Sequence, residues 1–355
     1  MFLFKIERKL KQNIEIAGEE SHSDELYMRR CLQLARLGEQ GAAPNPMVGA
    51  VVVCDGRIIG EGYHRRCGGP HAEVNAIASV RDEALLLRST IYVSLEPCAH
   101  YGKTPPCADL IISKGIPRVV VGCVDPFSKV NGLGIKKLRD AGVDVKVGVL
   151  DKECRWLNRR FMTFHGEHRP WVTLKWAESA DGFIDGVRDA TQPASRLSSP
   201  VTSIFVHRLR ARRQAILVGT NTALMDNPTL TTRLWPGENP LRLVIDRYGS
   251  LPQSLHLMDG TVPTHVYGGE ALSEILADLY GRGIQSLIVE GGARLLQSFI
   301  DQGLWDEARV EKAPFPLGDG VRAPQLANEL VVERETIDNH EIVFYESFNT
   351  KARFS

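Results

Sequence analysis

The stretch that decides the fold runs Val48-Gly49-Ala50-Val51-Val52-Val53-Cys54-Asp55-Gly56-Arg57-Ile58-Ile59-Gly60-Glu61-Gly62-Tyr63. An apolar run, an Asp-Gly turn and a second short run read as strand, turn, strand. Upstream, Leu26, Tyr27, Cys31, Leu34, Ala35 and Leu37 recur at helical spacing behind Asp24, which takes the N-cap position, and Gly38 and Gly41 stand past the end. Downstream, His71 to Val80 reads as a helix, Thr90 to Leu95 as a strand and Pro105 to Lys114 as a helix. Arg118 to Val124 follows as a buried strand, Ile135 to Ala141 as a helix and Val143 to Val149 as a strand. Strands alternating with helices of this length predict α/β units around a mostly parallel sheet.

The alternation pauses over Asp151 to Arg169, which reads as an Arg-rich helix with Trp156, Leu157, Phe161 and Phe164 along one face. It ends in the polar run Gly166-Glu167-His168-Arg169-Pro170, where a domain boundary is expected. The pattern then restarts with strands at Trp171 to Ala177, Ala215 to Val218, Leu241 to Ile245, Thr264 to Tyr267 and Ser286 to Val289. Helices are expected at Pro200 to Arg212, Ser273 to Arg282 and Ala293 to Gln302. The expected organisation is a flexible extension over 1–23, a first domain over 24–150, a linker helix over 151–169 and a second domain over 170–355. A chain of 355 residues suits that division, since domains commonly hold about 100–200 residues each.

The 43 basic and 43 acidic residues leave no net charge, so no global field gathers nucleic acid or an anionic membrane. No window approaches the roughly 18 apolar residues of a membrane span. Near the start, Lys5, Glu7, Arg8 and Lys9 interrupt the apolar residues, which excludes a signal-peptide core and predicts a cytoplasmic protein. The seven cysteines all lie in the first half. An odd count without a secretion signal argues against a disulfide framework and suggests local chemistry in the N-terminal domain.

His71-Ala72-Glu73 opens a predicted helix, Pro97-Cys98 follows a strand, and Cys107 lies nine residues beyond Cys98. One imidazole and two thiolates form a three-ligand set for zinc, leaving the fourth tetrahedral position to water as a catalytic site requires. Glu73 stands two residues from His71, placed to take a proton from that water and pass it to a leaving nitrogen. Cys67 and His100 are the nearby candidates for a fourth protein ligand, without comparable spacing. Cys31, Cys54, Cys123 and Cys154 sit in apolar runs and read as packing residues.

In the second domain three predicted strands end in polar segments: Lys175 to Gly182, Val218 to Thr222 with Asp226 to Arg233 beyond, and Glu290-Gly291-Gly292. Ligands of open α/β sheets lie beyond the carboxyl ends of strands, so the three ends predict one crevice. Gly291-Gly292 before a helix offers backbone N–H groups to a phosphate but is not the Gly-x-Gly-x-x-Gly dinucleotide fingerprint.

His-Ala-Glu followed by Pro-Cys is the pattern of the zinc nucleoside and nucleobase deaminases, whose usual second half is Pro-Cys-x-x-Cys. Here Cys98-Ala99-His100-Tyr101-Gly102-Lys103-Thr104-Pro105-Pro106-Cys107 puts eight residues between the thiolates. That insert, with Asn45-Pro46-Met47-Val48-Gly49 and Gly60-Glu61-Gly62-Tyr63-His64, closely resembles the bifunctional deaminase–reductases of riboflavin biosynthesis. The resemblance spans about residues 24–345. It implies a cytidine-deaminase-like three-layer α/β/α domain followed by a dihydrofolate-reductase-like α/β domain. It further implies zinc-dependent deamination of 2,5-diamino-6-ribosylamino-4(3H)-pyrimidinone 5′-phosphate and then reduction of the ribosyl chain to ribityl by NADPH. On the same ground Asn45, His100 and Lys103 would contact the pyrimidine and its ribose phosphate. Cofactor contacts would be Ala177, Thr222, Asp226 and the turn Gly292-Ala293-Arg294-Leu295. Reductase substrate contacts would be Lys175, Arg210, Leu230, Arg233 and Glu290, the two arginines suiting a phosphate.

The chain departs from that family at Phe127, where relatives often carry Asn, and at Leu133, where Arg is common. Arg196-Leu197-Ser198 likewise replaces a Trp-Ile-Thr-like segment. One rival reading is a transfer-RNA or nucleoside deaminase with a degenerate C-terminal half; another is a zinc-stabilised binding module. The expected partner is a small phosphorylated pyrimidine, with no nucleic acid and no membrane. Such two-domain metabolic enzymes are often symmetric homo-oligomers.

Overall fold

The computed structural model describes residues 22–99, 105–127 and 130–354. The extension expected over 1–23 therefore lies outside the described residues as far as residue 21, and the first helix is under way at residue 22. The chain divides into two compact units that meet between Gly166 and Glu167.

The first unit begins with α1 over residues 22–36. The hairpin follows as β1 (Gly49–Cys54) and β2 (Arg57–Tyr63), then α2 (Ala72–Ala78), β3 (Thr90–Leu95), α3 (Cys107–Ser113), β4 (Arg118–Cys123), α4 (Leu133–Asp140) and β5 (Asp144–Val147). The sheet order is β2-β1-β3-β4-β5, antiparallel through the hairpin and β1–β3, parallel from β3 to β5. Alternate residues of these strands point to opposite faces. Ala50, Val52, Ile91, Val93, Val119 and Val121 pack with Ala76, Ile111 and Leu138 of α2, α3 and α4. On the other face the Cys31 thiol of α1 donates to Tyr92 O at 3.4 Å. The result is a three-layer α/β/α unit.

Asp24 is not the N-cap that its position suggested. It lies inside α1, 1% exposed, and accepts hydrogen bonds from Tyr92 Oη at 2.8 Å, Arg118 Nη2 at 3.1 Å and Lys146 Nζ at 2.8 Å. A charge with three partners tolerates burial that a lone one does not.

The linker expected as one helix over 151–169 is two, α5 (Asp151–Leu157) and α6 (Arg159–Glu167), and nearly all of it belongs to the first unit. The break is at Asn158, whose side chain clasps the Met47 backbone from both sides, Met47 N to Oδ1 at 2.8 Å and Nδ2 to Met47 O at 2.9 Å.

The second unit contains β6 (Trp171–Glu178), β7 (Phe183–Asp185), α7 (Pro200–Ala211), β8 (Ala215–Gly219), α8 (Thr220–Asp226), β9 (Leu241–Ile245) and β10 (Thr264–Tyr267). It continues with α9 (Leu272–Gly281), β11 (Ser286–Val289), α10 (Ala293–Asp301), β12 (Glu307–Lys312), β13 (Val321–Arg322), β14 (Glu329–Ile337), β15 (His340–Ser347) and α11 (Phe348–Phe354). Eight strands form one sheet in the order β10-β9-β8-β11-β6-β12-β15-β14, in which β15 alone runs antiparallel to the others, and β7 pairs with β13. Leu174, Trp176, Ala308 and Val310 face the core with α9 and α10. The intervening residues of β6 and β12 face the other side of the sheet, where Arg213, just past α7, bonds Thr173 and Ser198, just before it, bonds Glu311.

Candidate functional site

In the first unit, three short segments meet at the carboxyl end of β3. His71 is the N-cap of α2, Cys107 the first residue of α3, and Cys98 follows β3 by three residues. Glycine makes this approach available: a Cβ at Gly62 would stand 2.3 Å from Ala76 N and 2.6 Å from Ala72 O, so α2 lies directly on β2. The ligand atoms of His71, Cys98 and Cys107 all lie within 4.8 Å of one another. His71 Nδ1 is 3.6 Å from Cys98 Sγ and 3.3 Å from Cys107 Sγ. Tetrahedral zinc with bonds of about 2.1–2.3 Å keeps neighbouring ligands roughly 3.5–3.8 Å apart, so this donor set fits the ion with little movement.

The two thiols behave as a pair. The hydrogen bond from Cys107 holds the Cys98 thiol below its ordinary range against its burial, with His71 assisting. The same bond, with burial, drives Cys107 well above the ordinary thiol range. The pair favours one shared proton, which a bound cation would release. Glu73, in the first turn of α2, is 3% exposed, and burial pushes its carboxyl up to about 7.

Two residues of this site escaped the sequence reading. His64 links Asn45 to the centre: Asn45 Nδ2 lies 3.1 Å from His64 Nε2, and the His64 ring stands edge-on to His71 with centroids 5.3 Å apart. Glu96 accepts from the amides of Asp125, Gly132, Gly134 and Ile135 at 2.8–3.3 Å, tying the loop before α4 to the Pro97–Cys98 turn. A carboxylate closing an otherwise apolar strand was the available signal for Glu96. His100 and Lys103 lie outside the described residues. At the departures noted above, Leu133 is 50% exposed, and the Phe127 ring packs beside His165 at 5.0 Å.

In the second unit β8, β11 and β6 are neighbours, so the three predicted strand ends do lie side by side. Arg210 of α7 grips Glu290 with Nε to Oε1 at 2.8 Å and Nη2 to Oε2 at 2.7 Å, and its Nη1 donates to Thr231 O at 3.2 Å. Burial would raise the Glu290 carboxyl, but Arg210 and Lys175 hold it down to about 2. Burial and the charges of Arg210 and Arg233 press His207 down to about 4, so it stays neutral. Leu230 is buried with a left-handed backbone, φ 51°. Arg233 donates to Thr229 Oγ1 at 3.1 Å in the same loop. Lys175, Arg210 and Glu290 therefore form one charged cluster, with Leu230 and Arg233 on the loop beside it.

The expected cofactor residues converge in part. A Cβ at Gly291 would meet Thr222 Cγ2 at 2.9 Å, and one at Gly219 would meet Leu295 Cδ2 at 3.9 Å. Gly292 has φ 66° and caps α10, whose first residues are Ala293, Arg294 and Leu295. The opening amides of a helix have no intrahelical partner and suit a phosphate. Asp226, by contrast, is held by Arg188, which also bonds Asp185 at 2.5 Å. Ala177 pairs in register with Glu311 of β12.

Comparison with known proteins assigns both halves. Residues 21–123 match the model of the cytidine and deoxycytidylate deaminase zinc-binding region, and residues 170–339 that of the RibD C-terminal domain. The riboflavin biosynthesis protein RibD of Aquifex aeolicus is 38% identical over 344 residues, covering 89% of this chain and 95% of that protein. Its counterpart from Escherichia coli is 36% identical, covering 84% and 90%. Among solved structures, the Thermotoga maritima diaminohydroxyphosphoribosylaminopyrimidine deaminase/5-amino-6-(5-phosphoribosylamino)uracil reductase matches with TM-score 0.83 and 36% identity, covering 92% of this chain and 99% of that one. Acinetobacter baumannii RibD matches with TM-score 0.83 and 30% identity over the same shares.

Proposed function

The chain belongs to the RibD family of bifunctional riboflavin-biosynthesis enzymes, and on that premise we propose how its own residues divide the two reactions. It is a deaminase and a reductase, with a zinc-binding deaminase domain followed by a reductase domain. A transfer-RNA or nucleoside deaminase with a degenerate second half is not favoured, because relatives with riboflavin names span both halves.

The deaminase substrate is 2,5-diamino-6-ribosylamino-4(3H)-pyrimidinone 5′-phosphate, whose 2-amino group leaves as ammonia while water supplies the carbonyl oxygen that replaces it on the same ring carbon. A zinc ion held by His71, Cys98 and Cys107 supplies Lewis-acid activation of water when bound. Glu73 carries the proton from the attacking water to the departing nitrogen; burial and a carboxyl near 7 suit that exchange. Asn45 orients the pyrimidine, itself oriented by His64. His100 and Lys103 complete the substrate contacts on the family resemblance.

In the reductase domain Lys175, Arg210, Leu230, Arg233 and Glu290 hold the ribosyl substrate. Thr222, Asp226, Ala177 and the turn from Gly292 to Leu295 hold NADPH, which supplies hydride when bound. The seven free thiols suit a reducing compartment such as the cytoplasm. Among the described residues no helix is long and apolar enough to cross a membrane. A homo-oligomer is the expected assembly, to be read by sedimentation.

The observation that carries the reading is the meeting of His71, Cys98 and Cys107 beside a sealed glutamate. Chelating the metal should end ammonia release while NADPH oxidation on the deaminated substrate continues. Ammonia release by metal-free protein would refute the deaminase assignment.

A further inference from the structure

Strand β12 carries two buried ionisable side chains that neither reaction above uses. Arg309 is 5% exposed and Glu311 is 0% exposed. Across the parallel ladder Arg309 pairs with Lys175, and Glu311 with Ala177. Ala308 and Val310 enter the core with Leu174 and Trp176, so alternation turns Lys175, Arg309 and Glu311 to one face. Arg309 Nη1 lies 3.5 Å from Glu311 Oε2, and Ser198 Oγ donates to the same oxygen at 3.0 Å. Ser198 belongs to the segment where this chain departs from its relatives' aromatic pattern. The other atoms, Arg309 Nη2 and Glu311 Oε1, are buried and without a hydrogen-bond partner among the described residues. Buried unsatisfied groups are rare in folded proteins and call for an explanation.

The pair is sealed, whereas Lys175 is partly open. A sealed pair acts on a bound molecule only through a neighbour that reaches it. Lys175 is faced by Glu290 from the end of β11, by Arg210 from α7, and by Arg309 and Glu311 from β12; His207 of α7 adjoins Glu290. Burial draws the Lys175 ammonium below the ordinary lysine range; Arg309 and Arg210 press it further down, and Glu290 and Glu311 oppose them.

We propose that Arg309 and Glu311, latched by Ser198, are positioning residues that set the place and charge of Lys175 at the mouth of the reductase crevice. The proposal rests on the reading that Lys175 contacts the reductase substrate. Its signature is a pair of opposite effects. Arg309→Met removes a neighbouring cation and leaves Glu311 in place, so Lys175 keeps its proton to higher pH. Glu311→Gln removes a neighbouring anion, so Lys175 loses its proton at lower pH. A charge of either sign at this spacing moves the titration by roughly one pH unit. Side chains that merely filled space would lower activity in both variants without moving the profile.

The test is the pH dependence of reductase kcat and kcat/KM on deaminated substrate with NADPH, using the full-length chain, with thermal unfolding alongside. Lys175→Gln should remove the alkaline limb, Arg309→Met should move it up, and Glu311→Gln should move it down. If Arg309→Met does not fold, Arg309→Gln removes the same charge in a polar side chain. Arg309→Lys, which keeps the cation, should restore the parent limb. Unmoved limbs in the Arg309 and Glu311 variants, with the limb lost in Lys175→Gln, overturn the proposal alone. Unchanged kinetics in Lys175→Gln overturn the reading of Lys175 itself, and the proposal with it.

Discussion

Replacing Glu73 with glutamine should slow deamination by orders of magnitude and, in zinc-free protein above neutrality, raise stability. Glu73 is 3% exposed, and burial lifts its carboxyl from 4.5 to about 7. A carboxyl raised in this way binds its proton more tightly in the folded protein. The folded state therefore keeps its full stability below pH 4.5 and loses part of it as the pH climbs to about 7. From 4.5 to about 7, at about 1.4 kcal/mol per unit, the accumulated loss is about 3 kcal/mol. Glutamine is neutral at every pH and escapes that loss, but its amide oxygen accepts from the Cys107 thiol more weakly than a carboxylate does, at a cost of about 1 kcal/mol. The zinc-free variant should thus be about 2 kcal/mol more stable than the parent at about pH 8, and equal or weaker at about pH 4. Its rate of ammonia release should fall about 10²–10⁴-fold, since no group is left to carry the proton. Urea unfolding of the zinc-free proteins, ammonia release and zinc content of the loaded ones read all three quantities. A variant that releases ammonia at the parent rate, or whose stability relative to the parent does not grow with pH, would refute the reasoning.

Asp24→Asn should destabilise the first unit by about 2–4 kcal/mol, below the full cost of breaking a buried pair because its cations reach water. Burial opposes ionisation of Asp24, yet Lys146, Tyr92 and Arg118 hold its carboxyl below 3.8. The parent's advantage should therefore be present above pH 3.8 and shrink as the pH falls further, as urea midpoints will show. Gly134→Ala would put a Cβ 1.9 Å from Pro97 O and push the turn that carries Cys98. A cost of about 1–3 kcal/mol is expected, with weaker zinc retention in a chelator competition. Arg210→Met should leave the buried Glu290 carboxylate without its guanidinium and raise the reductase KM about tenfold or more, with ammonia release unchanged.

How far the site was legible follows from the range of each interaction. His71, Glu73, Cys98 and Cys107 could be read because few buried roles use that mixture of side chains, and each stands at the end of a periodic segment. Lys175, Arg210 and Glu290 were located through strand ends and resemblance, and the Arg210–Glu290 grip supplies the geometry that neither could. The strands beyond residue 302 passed unread. β14 is exposed along most of its length and shows no alternation of apolar and polar residues, because its order comes from pairing with β15 and not from burial. The single helix expected over 151–169 failed at Asn158, which serves a backbone segment 111 residues earlier in the chain.

By itself the sequence determined the α/β class and the extents of most core strands, and it singled out the His71, Cys98 and Cys107 side chains that the fold brings within metal-ligand reach of one another. Those follow from hydrophobic period, turn chemistry and ligand type, which act over a few residues. Tertiary structure alone decided that Asp24 is a buried counter-ion, that His64 stands between Asn45 and His71, and that Arg309 and Glu311 lie beside Lys175 and Ala177. Each depends on strand register or on a contact between distant segments. A charged residue in a short run reads the same whether it meets water or a partner strand.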